Sequence, residues 1–200
     1  MPIPEIYEAR NYLDEAVTAH LLGNTGKASE LIKLADMPII REWTESIWGA
    51  NSPYVIHRKI NDSIPILPKG ERVKIRMPNS SEKNKLHQRD GFHCRFCGVP
   101  LIRKEVRIAI KNIYPESLQW GTKNIEQHSA FQAMWLQYDH LLPHSRGGNN
   151  DLDNIVITCA PCNYGRTDRL IEEVGLLNPF SHPPVQSSWD GLEHILRSTT

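Results

Sequence analysis

Apolar residues recur at helical spacing through the opening of the chain and then give way to short alternating runs. In PEIYEARNYLDEAVTAHLLG, Ile6, Leu13, Ala16, Val17 and Leu21 share one stripe, and Gly23 follows as a stop signal. KASELIKLAD and PIIREWTESIWGAN repeat the pattern, the latter with Ile39, Ile40, Trp43, Ile47 and Trp48 ahead of Gly49. These segments predict helices with a buried face, and their aromatics are read as core. From Asn51 to Pro78 the chain is richer in Pro, Gly and polar residues, with short pieces such as RVKIRM, which predicts a linker with one or two strands. SSEKNKLHQRDG predicts a short basic helix capped by Ser80 or Ser81. Two more helices are predicted around Arg103–Ile113 and Asn124–Gln137.

The rear of the chain changes period. LQYDHLL reads as a strand, PHSRGGNNDLD as a loop whose Gly147 and Gly148 allow a sharp turn, and NIVIT as a second strand. CAPCNYGRTDRLIEEVG then starts a helix. A β-hairpin followed by a helix, behind a mostly helical front, predicts an α+β chain. Its expected divisions are residues 1–75, residues 76–178, and a tail at 179–200 with a short helix.

Composition narrows the choices. With 23 Lys+Arg against 23 Asp+Glu, overall charge does not by itself point to nucleic acid. Between Arg58 and Lys111, however, Lys and Arg heavily outnumber Asp and Glu. That run either faces phosphate or is a solvated charged surface. MPIPEIYEAR lacks a charged segment followed by an apolar one, and no apolar run reaches membrane-spanning length. A cytoplasmic location with no membrane partner is therefore expected, and cysteines there are read by spacing rather than as disulfides.

That spacing is Cys94-x-x-Cys97 and Cys159-x-x-Cys162. Two such knuckles aim four thiolates at one centre about 2.3 Å from each sulfur, the usual arrangement for structural zinc. The gap between the knuckles is far longer than the roughly 15 to 20 residues common in zinc ribbons, so a segment is inserted. A redox-active pair or unrelated buried thiols are the alternatives. Four thiolates close the coordination shell, so this ion would hold the fold without doing chemistry. His93 adjoins Cys94 but would find the shell full.

Asp139-His140, Pro143, Gly147-Gly148, Asp153-Asn154 and Cys159-x-x-Cys162-Asn163, with RDGFHCRFCG upstream, together resemble an HNH endonuclease of the zinc-knuckle, ββα-metal type. The likeness spans roughly Leu86 to Val174, so residues 76–178 would be the HNH domain; residues 1–75 resemble no family. The resemblance implies hydrolysis of phosphodiester bonds in DNA, double-stranded by expectation, with a role in restriction or anti-phage defence. It implies a catalytic divalent ion separate from the zinc, held by oxygens of Asp139 and Asn163. Oxygen donors favour Mg²⁺ or Mn²⁺, and Asn163 stands where many members carry a second histidine.

His140 would be the general base, a role suited to the ordinary imidazole pKa of about 6.5. Asn154 would bond backbone across the hairpin loop, and His144, Arg146 and Arg166 would reach phosphate. Each residue has a plainer reading: Asp139 as a cap or ion pair, Asn163 as a helix cap, His144 and the arginines as surface groups. A zinc-stapled module that binds nucleic acid without cutting, or binds protein, stays open at this stage. The N-terminal helices are expected to carry a protein partner or a homo-oligomeric contact.

Overall fold

Helix α1 (Pro4–Leu21) begins at a proline, whose fixed φ suits the first turn, and buries Ile6, Ala9, Leu13, Ala16 and Val17 along one face. The chain turns through Gly23 at φ 78°. Asn24 then caps α2 (Thr25–Leu34), its side chain accepting from the Lys27 N–H, and α2 lays Ala28, Leu31 and Ile32 against α1. Helix α3 (Pro38–Trp48) buries Ile40, Trp43 and Thr44. Each fully buried aliphatic side chain contributes about 1.5–3 kcal/mol relative to exposure. A charge at Ile6 or Ile40 would break this packing.

The computed structural model describes residues 1–48, 52, 63–74 and 77–197. Arg58, Lys59 and Arg76 of the basic run, and residues 75 and 76 of RVKIRM, lie outside the described residues. The described part of the linker holds a 3-10 turn at Lys69–Glu71.

Helix α4 (Ser80–Asp90) is capped by Asn79, not by Ser80 or Ser81 as expected. Asn79 lies three residues before Glu82, and that spacing permits a reciprocal box: Asn79 Oδ1 accepts from Glu82 N–H (3.0 Å) while Glu82 Oε2 accepts from Asn79 N–H (2.7 Å). Helix α5 (Lys104–Ile113) sits where its periodicity predicts.

The helix expected over Asn124–Gln137 is a 3-10 turn at Asn124–Glu126 and a short α6 (Ser129–Ala133). By Leu136 the chain is already a strand. A short apolar run such as AMWL fits a buried helix or a buried strand equally, and the pairing partner decides.

Strand β1 (Leu136–His140) pairs antiparallel with β2 (Ile155–Cys159), from Leu136 opposite Cys159 to His140 opposite Ile155. Two strands alone are marginal in water. Here β2 is buried throughout and packs against α4 and against α7 (Ala160–Arg166). Helix α7 is shorter than CAPCNYGRTDRLIEEVG suggested, because Thr167 at φ 57° leaves the helical region. A four-residue α8 (His194–Arg197) closes the tail.

One buried core joins the N-terminal helices to the hairpin region. Helix α3 packs on α6 and α7. His128 Nε2 donates to the Ile32 carbonyl (2.8 Å), and Asp36 Oδ1 accepts from the Ser129 N–H at the start of α6 (2.7 Å). No described helix is long and apolar enough to cross a membrane.

Candidate functional site

A turn, a strand end and a helix start deliver the four cysteines to one point. After α4 stops at Gly91, the chain folds back through Cys94 and Cys97, closed by Cys94 N–H to Val99 O and Gly98 N–H to Cys94 O, both 2.8 Å. Cys159 ends β2, and Cys162 lies in the first turn of α7. The four sulfurs lie within 4.8 Å of one another, with Cys97 Sγ and Cys159 Sγ 3.7 Å apart. A tetrahedron with metal–sulfur bonds of about 2.3 Å has edges near 3.8 Å, whereas a disulfide needs about 2.05 Å. The four cysteines form no disulfide, and their spacing fits zinc. Burial, then the neighbouring sulfurs, push the Cys159 thiol well up, a cost that thiolate binding to a cation removes. His93 stands outside the cluster, its Nε2 3.5 Å from Ser187 Oγ.

A cleft of about 820 Å³ runs along the edge of β1 not covered by β2. Gln137, Tyr138, Asp139 and His140 all line it. Successive strand side chains point to opposite faces, so four in a row meet one cleft only along an edge. Asn163 and Tyr164 enter from α7, His144 from the hairpin loop, and Arg72 from the segment before α4. Asn163 is not the helix cap, since Cys159 holds that position and Asn163 lies inside α7.

Asp139 is 5 % exposed and meets Arg166, which is 0 % exposed, in a fork-on-fork pair. Nε donates to Oδ2 (3.0 Å) and Nη2 to Oδ1. Nη2 also donates to the His140 carbonyl (2.6 Å), and Nη1 to the Arg169 carbonyl. Arg166 thus ties the end of β1 to α7, the two elements that carry Asp139 and Asn163. Burial lifts the Asp139 carboxyl above its ordinary value against the pull of Arg166. Each carboxylate oxygen accepts one bond from the guanidinium and keeps a second lone pair.

The expected phosphate roles of Arg146 and Arg166 need correction. Arg166 is sealed inside. Arg146 donates through Nε to the Asp168 carbonyl (2.8 Å), through Nη1 to Ser63 Oγ (3.0 Å) and through Nη2 to Glu173 Oε2 (3.0 Å), pinning the hairpin loop to the chain beyond α7. Neither lines the cleft. Arg72 does, and it belonged to the basic run that the sequence flags without singling it out.

The loop itself is held by Asn154. Its Oδ1 accepts from Leu142 N–H (2.8 Å), and its Nδ2 donates to the carbonyls of Asn149 (2.9 Å) and Leu142 (3.3 Å). Gly147 sits at φ 93°, and a Cβ on Gly148 would lie 1.8 Å from Leu142 O, so neither position takes a side chain. His140 Nε2 lies 3.0 Å from Asn150 Oδ1, and His144 Nε2 donates to the Val73 carbonyl (2.7 Å). The two imidazole centroids are 6.1 Å apart. Tyr138, the next residue before Asp139, bonds His87 Nε2 through its hydroxyl (2.8 Å).

Asp139, His140, His144 and Asn163 therefore share one cleft, while Asn154 buttresses its rim. Sequence reasoning missed Arg72, Tyr164 and Thr167, all of which line it. Residues 128–175 match the family model described as HNH endonuclease, which spans α6, the hairpin and α7. Neither the curated proteins nor the solved structures give a match to the chain.

Proposed function

We propose that this chain, which carries an HNH endonuclease domain at residues 128–175, is a metal-dependent endonuclease hydrolysing phosphodiester bonds in double-stranded DNA. The observation that carries the reading is the meeting of Asp139, His140 and Asn163 along one cleft whose walls stand on the cysteine cluster.

The roles divide by chemistry. The four thiolates would hold zinc and keep the hairpin on α7. Asp139 and Asn163 offer a carboxylate and an amide oxygen, a hard donor pair that fits Mg²⁺ or Mn²⁺ and leaves further positions for phosphate and water. Such an ion would stabilise charge on phosphorus and on the departing oxygen. Arg166 sets the direction of the Asp139 carboxylate, as outer partners of metal ligands do.

In the tautomer whose Nε2–H donates to Asn150 Oδ1 (3.0 Å), the His140 imidazole is the base that would take the proton from the attacking water. The water oxygen bonds to phosphorus in line, the bond to the 3′ oxygen breaks, and the leaving alkoxide is protonated from solvent. Arg72 supplies positive charge at the cleft wall where a phosphate must sit.

Supercoiled plasmid with Mg²⁺ or Mn²⁺ tests this directly. Nicking is expected from the zinc-loaded chain, and His140→Ala is expected to slow it about 10²- to 10⁴-fold, the usual share of a general base. DNA binding without nicking by the unaltered chain would instead support a non-catalytic zinc-stapled module.

A further inference from the structure

Tyr164 lines two cavities. Beside the cleft it shares with Asn163, it forms one wall of a second pocket of about 390 Å³, with Trp48, Trp135, Asn124 and Gln127 as the other walls. The Tyr164 ring lies 5.7 Å from that of Trp48 and 6.3 Å from that of Trp135, at interplanar angles of 48° and 71°. Rings set at such angles form a corner rather than a closed stack.

These aromatics differ from the packed ones. Trp120 carries the Arg107 guanidinium 3.6 Å above its face and packs against the core. Trp48 and Trp135 are half-buried and stand outside that core, and Tyr164 is 43 % exposed. The corner is also tied to its neighbours. Ala160 N–H donates to the Trp135 carbonyl (2.8 Å), Tyr164 lies one turn further along α7, and Trp48 ends the helix packed on α7. Asn124 brings an amide, whose side chain has no hydrogen-bond partner among the described residues.

Resting on the endonuclease reading, we infer that this pocket receives one unpaired nucleobase of the DNA strand whose phosphate lies in the neighbouring cleft. The volume falls in the ~300–1,000 Å³ range of small-ligand sites. Aromatic faces take any base by stacking, and the Asn124 amide can meet the donors and acceptors of its edge, while Gln127 is held in place by the Gly121 carbonyl and by Gln132. Because Tyr164 lines both cavities, a base held here and a phosphate in the cleft share one wall and would belong to neighbouring nucleotides. The chemistry selects strands with an unpaired or extruded base beside the cut, since a fully stacked base cannot enter.

The test uses the zinc-loaded full chain carrying His140→Ala, so that DNA stays intact, and fluorescence anisotropy with a short single-stranded thymidine oligonucleotide and a blunt duplex. Tyr164→Ala is expected to weaken single-strand binding about tenfold or more, the usual effect of losing one base–aromatic stack. Duplex binding should move less than about twofold, and Tyr164→Phe should restore single-strand affinity. Trp48→Ala, on a different helix, gives the same reading should Tyr164→Ala not fold. Equal losses for both DNA forms, or no loss for either, overturn the pocket. Plasmid nicking by the unaltered chain separates the two claims. Nicking with a silent Tyr164→Ala removes the pocket alone, whereas selective single-strand loss without nicking removes the nuclease reading alone.

Discussion

Four cysteines arrive at the knuckle from two distant pieces of chain and meet within 4.8 Å, whereas Asp139 reaches the cleft with its carboxylate already gripped by Arg166. The first arrangement is closed, sulfur-rich and saturated. The second sets a buried carboxylate and imidazole beside an amide along an open cleft. The contrast suggests a division of labour in which one ion would hold the hairpin on α7 and the other would work where hairpin and helix meet. A buried guanidinium is the bracket between those two elements.

Removing the staple should have the largest effect. Cys159→Ser, or zinc withdrawal by a chelator, is expected to abolish the cooperative thermal transition of the hairpin region and all nicking, since structural zinc contributes roughly 10–16 kcal/mol of apparent folding energy in small domains. A transition that survives either treatment, followed by circular dichroism, would erase the distinction between the two sites.

The bracket comes next. Arg166→Ala leaves a buried carboxylate without its partner, expected to cost about 3–5 kcal/mol in denaturant unfolding. Replacing both partners, Asp139→Leu with Arg166→Met, is expected to recover much of that stability and none of the nicking. Recovery of nicking in the double variant would show that Asp139 serves only the fold.

A smaller effect sits behind the cleft wall. Burial, then the charge of Arg103, holds the His87 imidazole down to about 4, next to the hydroxyl of Tyr138. The unfolded chain takes up that proton near pH 6.5, the folded chain only near pH 4. Stability present at neutral pH is therefore lost as pH falls through that window, by about 1–2 kcal/mol once partial exposure is allowed for. His87→Gln should flatten the fall in melting temperature between about pH 7 and about pH 5. Equal slopes in both proteins would remove His87 from the account.

How much of this was legible in the chain depended on distance along it. Each Cys-x-x-Cys is local, and thiolate chemistry leaves few readings, so the knuckle could be read directly. The hairpin was legible because Gly147-Gly148 separates two runs of the right length. Asn163 could be placed beside the cysteines but not cleared of a capping role until Cys159 was seen at that position.

Arg166 reads from the sequence as a phosphate contact because its partner lies 27 residues away on another element, and only folding shows that its guanidinium points inward. Arg146 failed for the same reason, its acceptors being Ser63, Asp168 and Glu173. The helix expected over Asn124–Gln137 failed on a different ground. Strand pairing overrode an apolar run with no decisive period, as Leu136 found Cys159 opposite. The aromatic corner draws on Trp48, Trp135 and Tyr164, three residues that no linear pattern joins.

Asp139 and Asn163 are proposed to hold one divalent ion distinct from the zinc. Mn²⁺ titration of the zinc-loaded chain, followed by electron paramagnetic resonance, measures it without reference to activity. One Mn²⁺ is expected to bind per chain, to be lost in Asn163→Ala while that variant's melting temperature is preserved, and to be retained in His140→Ala. Mn²⁺ binding unchanged by Asn163→Ala, or no binding by the unaltered chain, would contradict it.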